Sequence, residues 1–129
     1  MIVGIGLDVV ELARMEKLLS GAAGRRFVER VLTAREREHL SNLRPRRALE
    51  YVSGRFAAKE AVVKALGCGI GAKVGFHDIE VLPDALGKPI GVLSKASMER
   101  LGWKDQAYTL HIAITHERSL AAATALIEK

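Results

Sequence analysis

The chain has 129 residues, 49% of them hydrophobic, so we expect one folded domain spanning residues 1–129 rather than a disordered chain. Its 20 Lys and Arg residues outnumber its 15 Asp and Glu residues, and the net charge of +5 favours partners such as nucleic acid, acidic proteins or phosphorylated small molecules. A single cysteine excludes an intramolecular disulfide and a cysteine-based zinc cluster. No apolar stretch is long enough for a signal peptide or a membrane span, so a cytoplasmic protein without membrane contact is expected.

The first predicted element is a buried strand over residues 2–10, which are rich in β-branched side chains. Alternation along this strand places Gly4, Gly6 and Asp8 on one face. Isolated glycines in a strand indicate a close approach by another backbone or by a ligand. Asp8 has two interpretations. It is either a turn or helix N-cap residue at the strand end, which is the commoner use, or a functional carboxylate beside the glycines.

A basic segment follows over residues 14–47, with ten basic and four acidic side chains. Scattered charges usually form a solvated surface. Here Met15 and Phe27 lie among the charges, which favours a docking surface for an acidic partner. Nucleic acid is the other candidate, but the chain has few aromatic residues for base stacking and no nucleic-acid motif.

A long central helix is predicted over residues 45–66, because strong helix formers dominate its second half and Gly67 ends it. Residues four apart share a face of a helix, so Phe56, Glu60 and Lys64 form one stripe. The rest of the helix is largely apolar, which predicts that it lies inside the fold. On pattern alone Glu60 and Lys64 are a solvated ion pair, whereas the scarcity of other polar residues favours a functional site.

The remaining predicted elements include a final strand that is apolar on both faces, is therefore internal, and pairs antiparallel with its predecessor. In chain order they are a helix over residues 11–19, a short helix opened by a capping box at residues 33–36, a hairpin with arms at residues 76–82 and 89–93, a helix over residues 94–101, a half-buried strand over residues 108–116 and the final strand over residues 120–127.

Asp8 and Glu60 are the two acids that stand in glycine-lined or apolar surroundings. Mg²⁺ prefers one or two carboxylates together with waters and substrate phosphates. Lys64, one turn beyond Glu60, could neutralise a phosphate or protonate a leaving oxygen. These residues suit a metal-assisted displacement at phosphorus. The alternative is a basic module that binds an acidic protein or RNA without chemistry, but such a module gains nothing from two buried carboxylates.

Four blocks of the chain resemble the motifs of the holo-(acyl-carrier-protein) synthases, in the family's order and over the full length. The second of them is the most specific. The blocks are residues 4–10 with Arg14, residues 54–61 with Lys64 and Ala65, residues 78–80 followed by residues 87–89, and the closing residues 114–116.

This resemblance implies a 4′-phosphopantetheinyl transferase that moves the phosphopantetheine arm of coenzyme A to a serine of apo-acyl carrier protein and releases adenosine 3′,5′-bisphosphate. It also implies an α+β fold with a small antiparallel sheet packed against one long central helix, a requirement for Mg²⁺, and a homotrimer with active sites between subunits.

Matched to the motifs, Asp8 and Glu60 correspond to the family's metal ligands. Glu60, directly or through a metal-bound water, corresponds to the base for the serine hydroxyl, and Lys64 to the lysine on the phosphates. The residues implied for coenzyme A are Lys64 itself with Arg47, Arg55, Gly87, Lys88, Pro89, Thr115 and His116. The residues implied for docking of the carrier protein are Arg14, Arg25, Arg26, Phe27 and Arg30. The chain departs from many members at Ala113, where they have serine.

Overall fold

The computed structural model describes all 129 residues, and its elements follow the predicted order closely. They are β1 (Ile2–Glu11), α1 (Leu12–Ser20), α2 (Gly24–Val31), α3 (Ala34–Leu40), α4 (Pro45–Leu66), a 3₁₀ turn (Phe76–Asp78), β2 (Ile79–Pro83), β3 (Pro89–Leu93), α5 (Lys95–Arg100), β4 (Thr109–His116) and β5 (Leu120–Glu128).

The central helix α4 has the predicted bounds, and local chemistry explains both ends. Pro45 occupies the first turn, where its missing N–H has no helical partner in any case. Gly67 follows with φ 76°, a left-handed conformation that glycine adopts without strain, and its N–H bonds back to Lys64 O. Most of the helix between these ends is buried, as predicted.

Three antiparallel strands form the main sheet in the order β1-β5-β4. The last strand is therefore central and pairs antiparallel with β4, which confirms the prediction made from its apolar faces. The predicted hairpin of β2 and β3 is present, and it forms a two-stranded sheet of its own. Its first arm begins later than expected, because residues 76–78 form a 3₁₀ turn that the Asp78 carboxylate closes by accepting the N–H of Gly75 at 2.8 Å.

The two glycines of β1 lie against the backbone of α4. A Cβ on Gly4 would overlap the carbonyl oxygen of Ala65, and one on Gly6 would overlap that of Ala61. Two residues of strand and four residues of helix both advance about 6 to 7 Å, so strand and helix stay in step in opposite directions. The glycines therefore mark approach by another backbone, one of the two predicted possibilities.

The prediction that β1 is a buried strand is wrong for the single chain, because most of its residues are exposed. The outward face of the strand carries Val3, Ile5, Leu7 and Val9, and the Ile5 and Leu7 residues are 65% and 56% exposed. The sheet is covered by α4 on one side, and no other element of the chain lies on the opposite side of β1. Side chains with the composition of a core strand thus face outward.

Helices α1, α2 and α3 pack beside the first half of α4. The predicted capping box opens α3, since Thr33 Oγ1 accepts the N–H of Glu36 and Glu36 Oε1 accepts the N–H of Thr33. The short helix α2 lacks a sequence signal of its own, and Gly24 at its start fits closely against the Leu19 carbonyl at the end of α1. None of the helices combines the length and the apolar character that crossing a bilayer requires.

Candidate active site

The fold brings together Asp8 and Glu60, which are 52 positions apart in the sequence. Because β1 and α4 run in step past the two glycines, Asp8 lies at the turn of α4 that carries Glu60. Both carboxylates line one cleft of about 550 Å³ between β1, α1, α2 and α4. Phe56 lines the same cleft, so two of the three residues in the predicted helical stripe, Phe56 and Glu60, face it.

Lys64 reaches β1 instead of lining the cleft. Its Nζ donates to Asp8 Oδ1 at 3.0 Å and to the carbonyl oxygen of Leu7 at 3.0 Å. The predicted pairing of Lys64 with Glu60 along the helix is thus replaced by an ion pair with Asp8. The pair lies at the mouth of the cleft, where the Lys64 side chain is 52% exposed.

The negative charge of the two carboxylates in the cleft is not fully neutralised by Lys64. Burial raises the pKa of Glu60 above its ordinary value, the nearby Asp8 carboxylate raises it further, and Lys64 offsets part of this increase. Lys64 already occupies an oxygen of Asp8, so the repulsion between the carboxylates is only partly relieved. A cation between the two groups would relieve it.

The donor set fits Mg²⁺. The structure contains no group of three or more His, Cys, Asp or Glu side chains placed to hold a metal ion. Two carboxylates in an open cleft match the preference of Mg²⁺ for few protein ligands, with its other positions left to waters and phosphate oxygens. Asp8 and Glu60 are the residues that would hold such an ion.

A second cleft, of about 510 Å³, lies between α4, the β2–β3 turn and β4, and it collects most of the residues implied for coenzyme A. Arg47, Arg55, Gly87, Pro89 and His116 line it. A nucleotide carries several phosphates, so a cleft with two guanidinium groups and a histidine is suited to it.

Three implied residues lie outside this second cleft, namely Lys64, which contacts Asp8, and two residues on the hairpin and on β4. Lys88 faces the outer surface of the sheet together with Pro89. Thr115 is exposed on β4. Ala113, where many relatives have serine, also lies on that outer surface.

The structure adds residues to the second cleft that the sequence pattern did not indicate. Glu50 Oε2 lies 3.2 Å from His116 Nδ1, so the two side chains form an ion pair when the histidine is protonated. Tyr51 places its ring under the Arg55 guanidinium, with the Cζ atom 4.3 Å from the ring centroid. The His39 ring packs against the Tyr51 ring at a tilt, with the two centroids 5.0 Å apart, and His39 also lines the cleft. Helical spacing from Arg47 and Arg55 could have indicated Tyr51, which lies one turn from each.

The residues implied for carrier docking divide into two groups. Arg14 and Phe27 line the cleft of Asp8 and Glu60. Arg25 pairs with Glu29 on α2 and faces a wider groove of about 1140 Å³ between α1 and α4, away from the two acids. Arg26 and Arg30 are exposed on α2.

A fully buried ion pair was also missed. Lys59 and Glu36 are both 0% exposed, with Nζ 2.6 Å from Oε1. The capping box indicates only one role of Glu36, and nothing in the spacing of Lys59 distinguishes a buried lysine from an exposed one. Asp8 and Glu60 are therefore not the only acids in apolar surroundings, contrary to what the sequence had suggested, because Glu36 is more deeply buried than either.

Comparison with known proteins agrees with this arrangement. A sequence model of the 4′-phosphopantetheinyl transferase superfamily matches residues 4–125. The holo-(acyl-carrier-protein) synthase of a Geobacillus species is 43% identical over 129 residues, which are all of this chain and 98% of that protein. The enzyme of the same name from Halalkalibacterium halodurans gives the same values.

Solved structures extend the comparison to the fold. The holo-(acyl-carrier-protein) synthase of Bacillus anthracis in complex with CoA (3′,5′-ADP) superposes with a TM-score of 0.83 at 43% identity and covers 100% of this chain and 98% of that one. The Neisseria meningitidis enzyme gives a TM-score of 0.88 at 34% identity, with complete coverage of both chains. The Helicobacter pylori enzyme in complex with coenzyme A gives 0.81 at 30% identity, covering 96% and 99%.

The chain therefore belongs to the 4′-phosphopantetheinyl transferase superfamily. Its full-length relatives within that superfamily are holo-(acyl-carrier-protein) synthases. The resemblance seen in the motifs is confirmed, as are the α+β fold and the prediction of an enzyme over a binding module without chemistry.

Proposed function

We propose that this chain, as a single transferase domain, transfers 4′-phosphopantetheine from coenzyme A to a serine of apo-acyl carrier protein, a step in fatty acid biosynthesis. The observation that carries the proposal is the meeting of Asp8 and Glu60 in one cleft, with Lys64 paired to Asp8, in a chain that also has a second, arginine-lined cleft. Full-length identity of 43% to holo-(acyl-carrier-protein) synthases supports it.

In the proposed reaction the serine oxygen bonds to the phosphorus that carries pantetheine, and the bond from that phosphorus to the bridging oxygen of the diphosphate breaks. The electron pair leaves with adenosine 3′,5′-bisphosphate, and the serine proton is taken up by a base. Glu60 suits the role of base, directly or through a water, because its raised pKa favours acceptance of a proton. Lys64, at the mouth of the cleft, supplies positive charge for the leaving phosphate.

Mg²⁺ is the proposed cofactor, held by Asp8 and Glu60. When bound, it neutralises diphosphate charge and polarises the phosphorus under attack. The protein residues fix the position of the diphosphate relative to the base.

The second cleft is proposed to bind the nucleotide part of coenzyme A. Arg55 supports this role, since its guanidinium lies against the Tyr51 ring with only Nε bonded to protein. Arg47, Pro89 and His116 share the cleft. Lys88 and Thr115 are still proposed to contact coenzyme A, although they lie outside this cleft. They face outward and would contact a nucleotide held between two copies of the chain.

Docking of the acidic carrier protein is proposed at α1 and α2. Arg14 and Phe27 line the cleft that holds the two acids, so a partner bound to them would bring its serine to the site. Arg26 and Arg30 extend the positive charge along α2. Arg25 has the weakest support, because it already pairs with Glu29 at 3.2 Å.

A homotrimer is the proposed active unit. The outer face of β1 exposes four large apolar side chains, and Ile90 and Val92 of β3 are also exposed. A surface of this size is expected to be covered by other copies. Sedimentation of the active enzyme should give three copies, and Ile5→Lys should dissociate it, whereas Lys17→Glu on α1 should not. A fully active monomer would contradict the assembly.

Intact-mass measurement of apo-acyl carrier protein mixed with this protein, coenzyme A and Mg²⁺ tests the central proposal. The carrier should gain one phosphopantetheine group, and adenosine 3′,5′-bisphosphate should appear in equal amount. Glu60→Gln is the matched control and should give neither product. A carrier of unchanged mass with a folded wild-type enzyme would refute the assignment. The cytoplasmic location stays a prediction from the sequence.

A further inference from the structure

The proposed chemistry makes no use of the buried ion pair between Lys59 and Glu36. The Lys59 ammonium group has three protons and three acceptors: Glu36 Oε1 at 2.6 Å and the carbonyl oxygens of Val31 at 2.7 Å and Phe76 at 3.0 Å. Its hydrogen-bonding capacity is therefore filled. The ammonium ties α4 to the end of α2, to α3 and to the 3₁₀ turn before β2.

The second carboxylate oxygen of Glu36 holds the hairpin. Glu36 Oε2 accepts the N–H of Val81 at 2.7 Å, and the carbonyl oxygen of Val81 accepts from Arg55 Nε at 3.2 Å. Val81 thus turns both of its main-chain groups away from β3, toward α3 and α4. One residue on the outer edge of β2 connects the buried pair to Arg55.

Arg55 is the residue at which this connection ends. Its guanidinium is held on one edge by Val81 and on one face by the Tyr51 ring, 4.3 Å from Cζ. Nε makes the one hydrogen bond of this guanidinium to protein, and Arg55 lines the second cleft. Burial lowers the pKa of Arg55, although a guanidinium stays charged, so the group meets an anion with little water to displace.

Stability alone is a weak reason for such a pair. Replacing a buried ion pair with apolar side chains is often neutral or stabilising, because the attraction hardly exceeds the cost of removing both charges from water. A directional role explains the pair better. Each hydrogen bond of Glu36 and Lys59 fixes one backbone segment in place, and the segment at Val81 determines where Arg55 points.

We propose that the Lys59–Glu36 pair is a positioning device: through Val81 it holds the Arg55 guanidinium so that the Nη atoms receive a phosphate of the nucleotide. This inference rests on the proposed function, because it requires Arg55 to bind coenzyme A. Lys59 and Glu36 touch no substrate and act only through Arg55.

Calorimetric titration with coenzyme A and Mg²⁺, without carrier protein, tests the device in a double-mutant cycle of Glu36→Gln and Arg55→Ala. A glutamine has one acceptor oxygen in place of two, so it cannot hold Thr33, Lys59 and Val81 together. Glu36→Gln should weaken binding about tenfold in the wild-type background and have no effect when Arg55 is alanine. Arg35→Ala, which removes an exposed ion pair between α3 and β2, is the matched control and should leave the Kd unchanged.

The outcomes of this cycle distinguish a positioning role from a general effect on the fold. An equal loss in both backgrounds, or no loss at all, would overturn the positioning role. In steady-state assays the Michaelis constant for coenzyme A should rise while kcat is kept, and a fall in kcat alone would place the effect on neighbouring Glu60. Absence of binding by the wild-type protein would instead contradict the proposed function.

Should circular dichroism show that Glu36→Gln is unfolded, the double replacement Glu36→Leu with Lys59→Met enters the same cycle. It leaves no single buried charge and still removes the tie to Val81.

Discussion

Two carboxylate–lysine pairs connect α4 to its surroundings, and they differ in almost every physical respect. Asp8 and Lys64 lie 3.0 Å apart with side chains 18% and 52% exposed. Glu36 and Lys59 lie 2.6 Å apart and are fully buried. In the buried pair both carboxylate oxygens and all three ammonium protons are hydrogen-bonded to protein, whereas the exposed pair is partly open to solvent.

The difference indicates what each pair can do. An exposed ion pair contributes on the order of 1 kcal/mol or less to stability. Its two side chains can therefore separate at small cost, so that the carboxylate binds a metal ion or the ammonium binds a phosphate. A buried pair cannot separate without leaving an uncompensated charge. Reactivity therefore belongs to the pair at the cleft mouth, and fixed geometry to the pair inside.

The largest expected effect is loss of transfer when either acid of the open cleft is neutralised. Asp8→Asn and Glu60→Gln should each reduce kcat/KM by about 100-fold or more, because each removes a carboxylate that would hold the proposed Mg²⁺ and so the charge that would offset the diphosphate. Far-ultraviolet circular dichroism should be unchanged, and Mg²⁺ binding by calorimetry should disappear. Glu16→Gln on α1 is the control. Full activity of either variant, or activity in excess chelator, would disprove the metal assignment.

The next effect is on stability and contrasts the two lysines directly. Lys59→Met should lower the free energy of unfolding by about 3 to 5 kcal/mol, since it leaves Glu36 buried and unpaired. Lys64→Met should change it by about 1 kcal/mol or less. Urea denaturation of both variants provides the comparison. Equal losses would mean that burial does not distinguish the pairs.

Lys64 should matter more for turnover than it does for stability. Lys64→Met should lower kcat more than it raises the Michaelis constant for coenzyme A, if the ammonium acts mainly on charge that develops in the transition state. Lys64→Arg, which keeps the charge, should restore part of the rate. A variant with unchanged kcat and only a raised Michaelis constant would make Lys64 a binding residue.

A smaller effect concerns the titration of Glu60. Its pKa is raised in the folded protein, so the folded state binds this proton more tightly than the unfolded state does. The stabilising contribution is therefore present below the ordinary value of about 4.5 and is lost as pH rises through the folded pKa. Carbon-13 NMR of the metal-free protein should show the pKa lowered by Asp8→Asn and raised by Lys64→Met. The opposite signs would contradict the charge arrangement described for the cleft.

The smallest effect is expected at the basic surface. Arg14→Glu should raise the Michaelis constant for the carrier protein several-fold, on the order of 1 kcal/mol, and leave that for coenzyme A unchanged. The difference from wild type should be largest at low ionic strength, because salt screens the attraction in the wild-type enzyme. If the coenzyme A constant alone responded, Arg14 would belong to the nucleotide site.

Local chemistry was sufficient for the features that depend on neighbouring residues. The bounds of α4 follow from Pro45 and Gly67, the start of α3 from its capping box, and the central place of β5 from its two apolar faces. The motif around Glu60 identified the family, because its residue order is specific even without a structure.

Tertiary structure decided the features that depend on which surfaces meet. The apolar pattern of β1 is the same for a strand covered on both faces and for one whose outer face is open, so its exposure could not be predicted. The partner of Lys64 is Asp8 and not Glu60, because β1 passes α4 closely enough for a direct contact across the glycines. Burial of Lys59 with Glu36 follows from the packing of α3 and β2 around α4, a meeting of distant segments that no local spacing encodes.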